Sequence, residues 1–566
     1  MIDGPEQGCP SIPARLNSAF RALCRARSPP IRPYGEPAIT TALQTQRTTP
    51  RPARAPAPPR ALQRPLWSAA LPGALLALAL GLWGVRREGH LWRDEAVTVD
   101  VAGRELPDLW DTLGNVDAVH GLYYLFMHGL FRTVPYGVDL TLVLRIPSVL
   151  ATAVAAAGVA LTGLRLAGPR TGLLAGLVFA VLPPVQRFAQ EGRSYAMVCA
   201  AVVWATYLLV RAVQLGGRRR WAGYAAVLLL ACLLHEFAVL ALAAHALVVP
   251  RAARRSWLVA AATVVAGLTP LAVLSQRQSA QVEWIGGPGR TAAQALAVLA
   301  GIGVACAAFL ARDSGWWGTV HRGGNQGRGR SRSSGQDTGG TTGIGEGGAF
   351  VRLGVGLAVL PSVLLLLASL VRPLYMDRYV LYSHAGLALL VGGALDRAAR
   401  GARWRAVVAA GVAGAALVSL VPLSVRLRAP ESRVDDTTAV ARALRDTGRY
   451  GDAVLYLPLR RRAWSRPYPW AAAGLRDIAL DRDPVAADNL YGTEVPADVL
   501  RARLLAQSRR SRVVVATDPH GPTDAAADTT AGEAVKRSVL DRHFEKCRTR
   551  NVDGARVILY ARPGHC

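Results

Sequence analysis

Between residues 67 and 427 the chain alternates apolar runs of about twenty residues with short polar stretches in which arginine predominates. As a helix, a run of that length crosses a hydrocarbon core of about 30 Å, so the pattern predicts membrane-spanning helices rather than the cores of soluble domains. The stretches RLAGPR (165–170), GGRRRW (216–221), RAARR (251–255) and DRAARGARWR (396–405) belong on the cytoplasmic side by the positive-inside rule. Threading the chain under that constraint predicts eleven spans: 67–85, 143–166, 171–188, 194–213, 222–250 as two short helices, 256–275, 291–311, 350–371, 379–395 and 406–427. The stretch 222–250 is divided because His235-Glu236 would be costly in mid-bilayer, and the divide reads as an outward-facing turn. GLYYLFMHGLFRTV (121–134) is apolar but too short to cross, and counting it as a span would turn every later arginine cluster outward. It is expected to lie as an amphipathic helix on the outer surface.

The rest of the chain reads differently. Residues 1–65 are rich in Arg, Pro, Ser and Thr without apolar periodicity, which predicts a disordered cytoplasmic tail. The run 67–85 is long enough to span and is taken as an uncleaved first helix rather than a signal peptide. Residues 312–349, rich in Gly, Ser and Arg, are expected to be a flexible cytoplasmic linker within the membrane region 66–428. From 429 to 566 the composition becomes that of a soluble α/β domain. DAVLYLP (452–458), RVVVAT (512–517) and RVILYAR (556–562) read as strands, and 434–447, 497–508 and 531–544 as helices. The expected fold is therefore a polytopic α-helical membrane protein with an extracytoplasmic C-terminal α/β domain. Cys547 and Cys566 both fall in that domain, where an oxidising exterior permits a disulfide, whereas Cys199, Cys232 and Cys306 fall in spans and read as packing residues.

A formal net charge of +28 raises the question of nucleic acid. The arginines sit between apolar runs, where membrane orientation accounts for them, and no groove-reading or base-stacking motif accompanies them. Nucleic-acid binding is therefore excluded.

Four predicted outer segments carry polar groups with chemical potential. The first holds Arg93, Asp94, Glu95, Asp117, His120 and Tyr124; the second Glu191, Arg193 and Tyr195; the third His235 and Glu236; the fourth Tyr375, Asp377, Arg378 and Tyr379. Taken singly, each has a plain structural reading: an interfacial ion pair, a packed histidine, an aromatic belt. They share one face under a topology derived without them, which favours chemistry. Carboxylates take a proton from a hydroxyl nucleophile, and arginines and tyrosines bind a phosphate leaving group.

WRDEAVT (92–98), HGLYYLFMH (120–128), LRIPSVL (144–150), QEGRSYAM (190–197), LLHEFAVL (233–240) and YMDRYVLYS (375–383) together resemble the GT-C glycosyltransferases. These are polytopic enzymes using polyprenyl-phosphate sugars, and the likeness is to the bacterial branch related to protein O-mannosyltransferases and aminoarabinose transferases. The resemblance implies transfer of a mannosyl or pentosyl group to an acceptor hydroxyl at the outer face of the plasma membrane, with inversion. The acceptor would be a glycan, a lipid or a protein. It implies that Asp94, with Glu95 beside it, is the general base or positions the acceptor. Arg378 and Tyr379, with Arg193 and Tyr195, would hold the donor phosphate, while His120, Tyr124, Glu191, His235 and Glu236 would line the site. Where the family often has HPPLYY, this chain has His120-Gly121-Leu122-Tyr123-Tyr124, without the prolines. No DxD triplet occurs in the outer loops, so no obligatory metal or other cofactor is expected, although some relatives use a divalent ion. The rival reading is a transporter or flippase of a lipid-linked precursor, which would place its polar groups at mid-bilayer on broken helices, often within an internal repeat.

Overall fold

The apolar runs fold as helices whose ends fall where side-chain chemistry stops them. The computed structural model describes residues 63–135, 137–279, 290–312, 346–401, 403–508, 512–519 and 530–566. The helix Leu140–Ala167 begins at Asp139, whose carboxylate accepts from the Thr141 amide at 2.8 Å, and stops at Gly168, which adopts a φ of 102°. Pro169–Val181 and Pro183–Ala189 are bent by 65° where Pro183 and Pro184 withdraw two backbone donors. Arg218–Leu234 ends at His235, which is extended, and a short 3-10 turn (Glu236–Leu240) and the helix Ala241–Ala246 follow.

Among the described residues seven helices are long and apolar enough to cross a membrane, and eight if the bent pair counts as one span. The eleven spans expected from the sequence are therefore too many by this measure. Arg218–Leu234 and Ser383–Ala399 have 17 residues each, about 26 Å of helix, and the piece after His235 is shorter still. Apolar composition alone does not reveal that Arg218, Arg219 and Arg220 open the first of these, or that its end is cut at His235. The helix expected at 121–134 forms as Gly121–Thr133 and packs on the helix Arg93–Gly103. Residues 1–62 of the expected tail and 313–345 of the expected linker lie outside the described residues, as do 280–287 of the loop after 275. Residues 63–65 already belong to the first helix, Gln63–Leu82, and 346–349 to the helix Glu346–Ala368.

Small residues let the helices approach closely, as bilayer packing requires. A Cβ at Gly73 would stand 2.7 Å from the Gly176 carbonyl carbon, and one at Gly386 would stand 2.4 Å from the Gly354 oxygen. Gly386→Ala forces the helices Glu346–Ala368 and Ser383–Ala399 apart, so a fall in the thermal midpoint of the purified protein is expected, of the size of a core overpacking, about 1–3 kcal/mol. The helix ends fall into two groups. Thr171 donates to Asp396 at 2.6 Å and Arg165 to Tyr207 at 3.1 Å, which joins segments predicted to be cytoplasmic. The chemistry-bearing residues gather around a cavity elsewhere.

The C-terminal region folds around a mixed five-stranded sheet. Its strands are β1 (Ala453–Leu457), β2 (Arg476–Asp477), β5 (Val513–Thr517), β6 (Glu545–Val552) and β7 (Ala555–Ala561), in the order β2-β1-β5-β7-β6. β3 (Leu480–Arg482) and β4 (Thr493–Glu494) make a separate antiparallel pair. Alternation along β1, β5 and β7 splits the core in two. Leu455, Val513, Val515 and Ile558 face the helices Ala497–Ser508 and Ala531–His543, while Val454, Val514, Val557 and Leu559 face Thr437–Thr447. The predicted strands and helices here correspond to β1, β5, β7 and these three helices. The edge strand β6 had no sequence signal, because EKCRTRNV is polar and largely exposed. Cys547 on β6 is disulfide-bonded to Cys566.

Candidate active site

Successive residues of a helix point about 100° apart, and at the start of Arg93–Gly103 this separates the two acidic residues that the sequence treats as a pair. Glu95 turns inward and is fully buried. Arg145 grips both its oxygens at 2.7 Å, Arg87 reaches both at 3.1 Å, and the Gly192 amide donates to Oε1 at 3.0 Å. Burial alone would push this carboxyl up. The Arg145 and Arg87 guanidiniums and the Gly192 amide overturn that and hold it at about 2, below the ordinary 4.5. With its acceptor sites occupied and no surface on the cavity, Glu95 is placed as a structural anchor of the loop 190–193 rather than beside substrate. Glu191 is likewise buried, on Arg433 at 3.0 Å and Arg187 at 3.5 Å, and burial raises its carboxyl against those cations.

Asp94 turns the other way, onto a cavity of about 350 Å³, with a fifth of its side chain exposed. Its Oδ2 meets Arg378 at 3.2 Å and its Oδ1 meets Arg93 at 3.7 Å, so the carboxylate lies between two guanidiniums from different walls. Arg378 stacks near the rings of Trp92, Tyr195 and Tyr379 at 5.6–5.9 Å. Arg193 donates to the Tyr124 hydroxyl at 3.0 Å, and Tyr124 donates to Asp117. His120 and His235 stand with ring centroids 5.5 Å apart, and His235 lies 4.4 Å from Tyr379. Burial first, then Arg193 and Arg378, lowers His235 to about 3; His120 is also lowered, by burial and the same cations. Both imidazoles are therefore neutral at neutral pH and add no charge to the wall.

Several buried polar atoms on this wall have no hydrogen-bond partner among the described residues: Nε of Arg193, Arg378 and Arg461, and Nδ1 of His120 and His235. Buried polar groups are nearly always satisfied, and open guanidinium donors on a cavity wall suit an anion, although the same is found at Nε of Arg104, Arg211 and Arg352 away from the cavity.

The C-terminal region closes the cavity with Arg460, Arg461, Trp464, Leu490 and Tyr491. It also holds the segment that presents Asp94. Asp435 accepts from the Arg93 amide at 2.9 Å, and Asp436 bonds His90. Thr437 donates its amide and its hydroxyl to the Leu91 carbonyl, both at 2.9 Å, and the Leu91 amide donates to the Thr438 hydroxyl at 3.0 Å. Asp436 at the same time caps the helix Thr437–Thr447 through the Ala439 amide.

Of the residues singled out in the sequence, Arg93, Asp94, Asp117, His120, Arg193, Tyr195, His235, Glu236, Arg378 and Tyr379 line the cavity, and Tyr375 and Asp377 do not. Glu236 accepts from Ser275 at 3.0 Å. Glu95, Glu191 and Tyr124 stand behind the wall as supports. The sequence reading missed Arg87 and Arg145 as partners of Glu95, and although it set the C-terminal domain over the outer face it named no residue of that wall. The signal for the latter was LRRRAW (459–464) directly after β1, since ligands in α/β folds gather beyond the C-terminal ends of parallel strands. Among the described residues no group of three or more His, Cys, Asp or Glu converges to ligate a metal.

No protein-family model and no curated protein matches the chain. Among solved structures it is similar to ArnT from Cupriavidus metallidurans in the apo state, with 10% identity over 82% of this chain and 93% of that one and a TM-score of 0.47. It is also similar to the Archaeoglobus fulgidus oligosaccharyltransferase. The apo form shares 12% identity over 80% and 69% of the two chains, with a TM-score of 0.42. The complex with Zn and sulfate shares 12% over 87% and 73%, with a TM-score of 0.45. Likenesses at this level carry no argument about this chain.

Proposed function

We propose that this polytopic membrane protein is a glycosyltransferase that moves a mannosyl or pentosyl group from a polyprenyl phosphate to an acceptor hydroxyl at the outer face of the plasma membrane. The observation that carries the reading is Asp94 held between Arg378 and Arg93 on a cavity walled by the guanidiniums of Arg193, Arg378 and Arg461. Residues 66–428 form the membrane-embedded catalytic region in this reading. Residues 429–566 form an extracytoplasmic domain over it, and the N-terminus is cytoplasmic.

The polyprenyl tail stays in the bilayer while its phosphate meets Arg193 and Arg378. The acceptor oxygen attacks the anomeric carbon on the face opposite the phosphate, and a new C–O bond forms as the bond to the phosphate oxygen breaks. That electron pair leaves on the polyprenyl phosphate, the hydroxyl proton passes to Asp94, and the anomeric configuration inverts. Arg193 and Arg378 offset the charge that grows on the leaving phosphate, and the tyrosines around Arg378 fix its orientation. In this reading no cofactor is obligatory, and the steps above need none. Polar groups on a cavity wall shared with the C-terminal region favour this over a transporter, whose binding site belongs at mid-bilayer on broken helices.

The test is incubation of the protein in lipid nanodiscs with a panel of polyprenyl-phosphate sugars and crude envelope acceptors, following free polyprenyl phosphate. Release from one donor is expected; a folded protein that releases none from any donor sinks the proposal. Arg378→Gln is expected to lower release about 10²–10³-fold, as loss of one donor to a developing anion does. An unchanged rate in that variant would remove Arg378 from the mechanism.

A further inference from the structure

The cations on the cavity divide into two sets, and Asp94 lies at their junction. Arg193 and Arg378 belong to the helical region and flank His235 and Tyr195. Arg460 and Arg461 belong to the C-terminal region, with Arg93 near them. Arg461 rests its guanidinium 4.2 Å over the ring of buried Trp464, and both it and Arg460 pair with one carboxylate, Asp518. Burial, together with Arg460 and Arg93, lowers the Arg461 guanidinium in spite of Asp518. Gathering like charges in a partly buried wall costs free energy that a solvated surface would avoid; one carboxylate, Asp518, serves two guanidiniums and offsets only part of it, and an anionic ligand would offset the rest.

Beyond this set lies a second cavity of about 400 Å³, and its wall shares Arg460 and Tyr491 with the first. Its remaining lining sets Glu494, whose Oε1 already takes Arg462 and Lys536, Glu533, whose Oε1 accepts from the Leu459 amide, and Thr530, which caps the helix Ala531–His543, against an apolar floor (Pro458, Leu459, Val495). Each keeps further acceptor capacity toward the cavity. That mixture suits a saccharide, whose hydroxyls bond to carboxylates and whose C–H faces pack on apolar groups.

We propose that the acceptor is an anionic saccharide: its phosphate or carboxylate is held by Arg460 and Arg461, its body occupies the second cavity, and its reacting hydroxyl reaches Asp94. This rests on the transferase reading and deepens it. The arginines that serve the donor phosphate are then distinct from those that select the acceptor, with the base between them.

The experiment is a binding titration by calorimetry on the full-length protein in nanodiscs, with no donor present. The probes are mannose 6-phosphate and glucuronic acid against mannose and glucose. At least one anionic probe is expected to bind about tenfold or more tightly than its neutral counterpart, and which one binds distinguishes phosphate from carboxylate. Arg460→Gln with Arg461→Gln is expected to abolish that preference, and Arg461→Lys to retain most of it. Arg460→Gln alone, at a side chain 41% exposed, gives a second variant should the double one fail to fold. Equal binding of neutral and anionic sugars, or a double variant that binds like the wild type, overturns the proposal. So does a double variant that loses affinity for polyprenyl phosphate instead, since the cluster would then belong to the donor. Because no transfer is measured, failure here leaves the transferase reading standing, and failure of transfer with anion binding intact leaves the site standing.

Discussion

Asp94→Asn is expected to leave the protein folded and to lower polyprenyl-phosphate release about 10²–10⁴-fold, the range lost when a positioned proton acceptor is removed. Asparagine keeps the shape of the side chain and its hydrogen bond from Arg378 but cannot take a proton. Because the Asp94 side chain is a fifth exposed and its nearest ion pair is 3.2 Å long, its loss costs little stability. The thermal midpoint should stay near that of the wild type. Donor affinity, measured as binding of polyprenyl phosphate, should be retained because Arg193 and Arg378 remain. Turnover within a factor of a few of the wild type would show that Asp94 is not the base.

Glu95→Gln, one residue away, is expected to fail in the opposite manner. It leaves Arg145 and Arg87 buried without their counter-charge, and removing one partner of a buried pair costs about 3–5 kcal/mol. The measurement is thermal unfolding in detergent, where a large fall is expected for Glu95→Gln and little change for Asp94→Asn. A pH series adds a sign test. The folded Glu95 carboxyl is held at about 2 and its ordinary value is 4.5. Its contribution is therefore fully present above 4.5 and is lost as pH falls from there through about 2. Wild type should lose more stability than Glu95→Gln across that acid window. Equal acid sensitivity would mean that the Arg87–Glu95–Arg145 cluster contributes nothing to folding.

These two outcomes mark the limit of what the sequence disclosed. Charged residues at the ends of apolar runs are costly enough to stand out, so Asp94, Arg193, His235 and Arg378 were legible as a group. Adjacent acids were not separable, because which of them faces the cavity depends on the rotation of a helix whose N-terminus is set by contacts from residues 435–438. Arg145 was hidden inside LRIPSVL, where it reads as the entrance to a span, and only the packing of Leu140–Ala167 against the first helix brings it to Glu95. Strands such as β1 and β5 announced themselves by unbroken apolar runs, whereas LRRRAW read as one more solvated charge run. Its part in the cavity follows from the sheet order, which no local pattern carries. The span count failed for a related reason: mean apolarity does not reveal where a helix stops.

The segment His90–Arg93 is fixed by hydrogen bonds to Asp435, Asp436, Thr437 and Thr438, and Arg93 and Asp435 are 342 residues apart in the chain. During translation at about 5–20 residues per second, roughly 20 to 70 seconds separate the synthesis of Arg93 from that of its partner. Over that interval the helix start that bears Asp94 has only its earlier partners, Arg87, Arg145 and the Gly192 amide on Glu95, and none from residues 435–438. A product that ends before residue 435 therefore lacks every one of these hydrogen bonds to His90–Arg93.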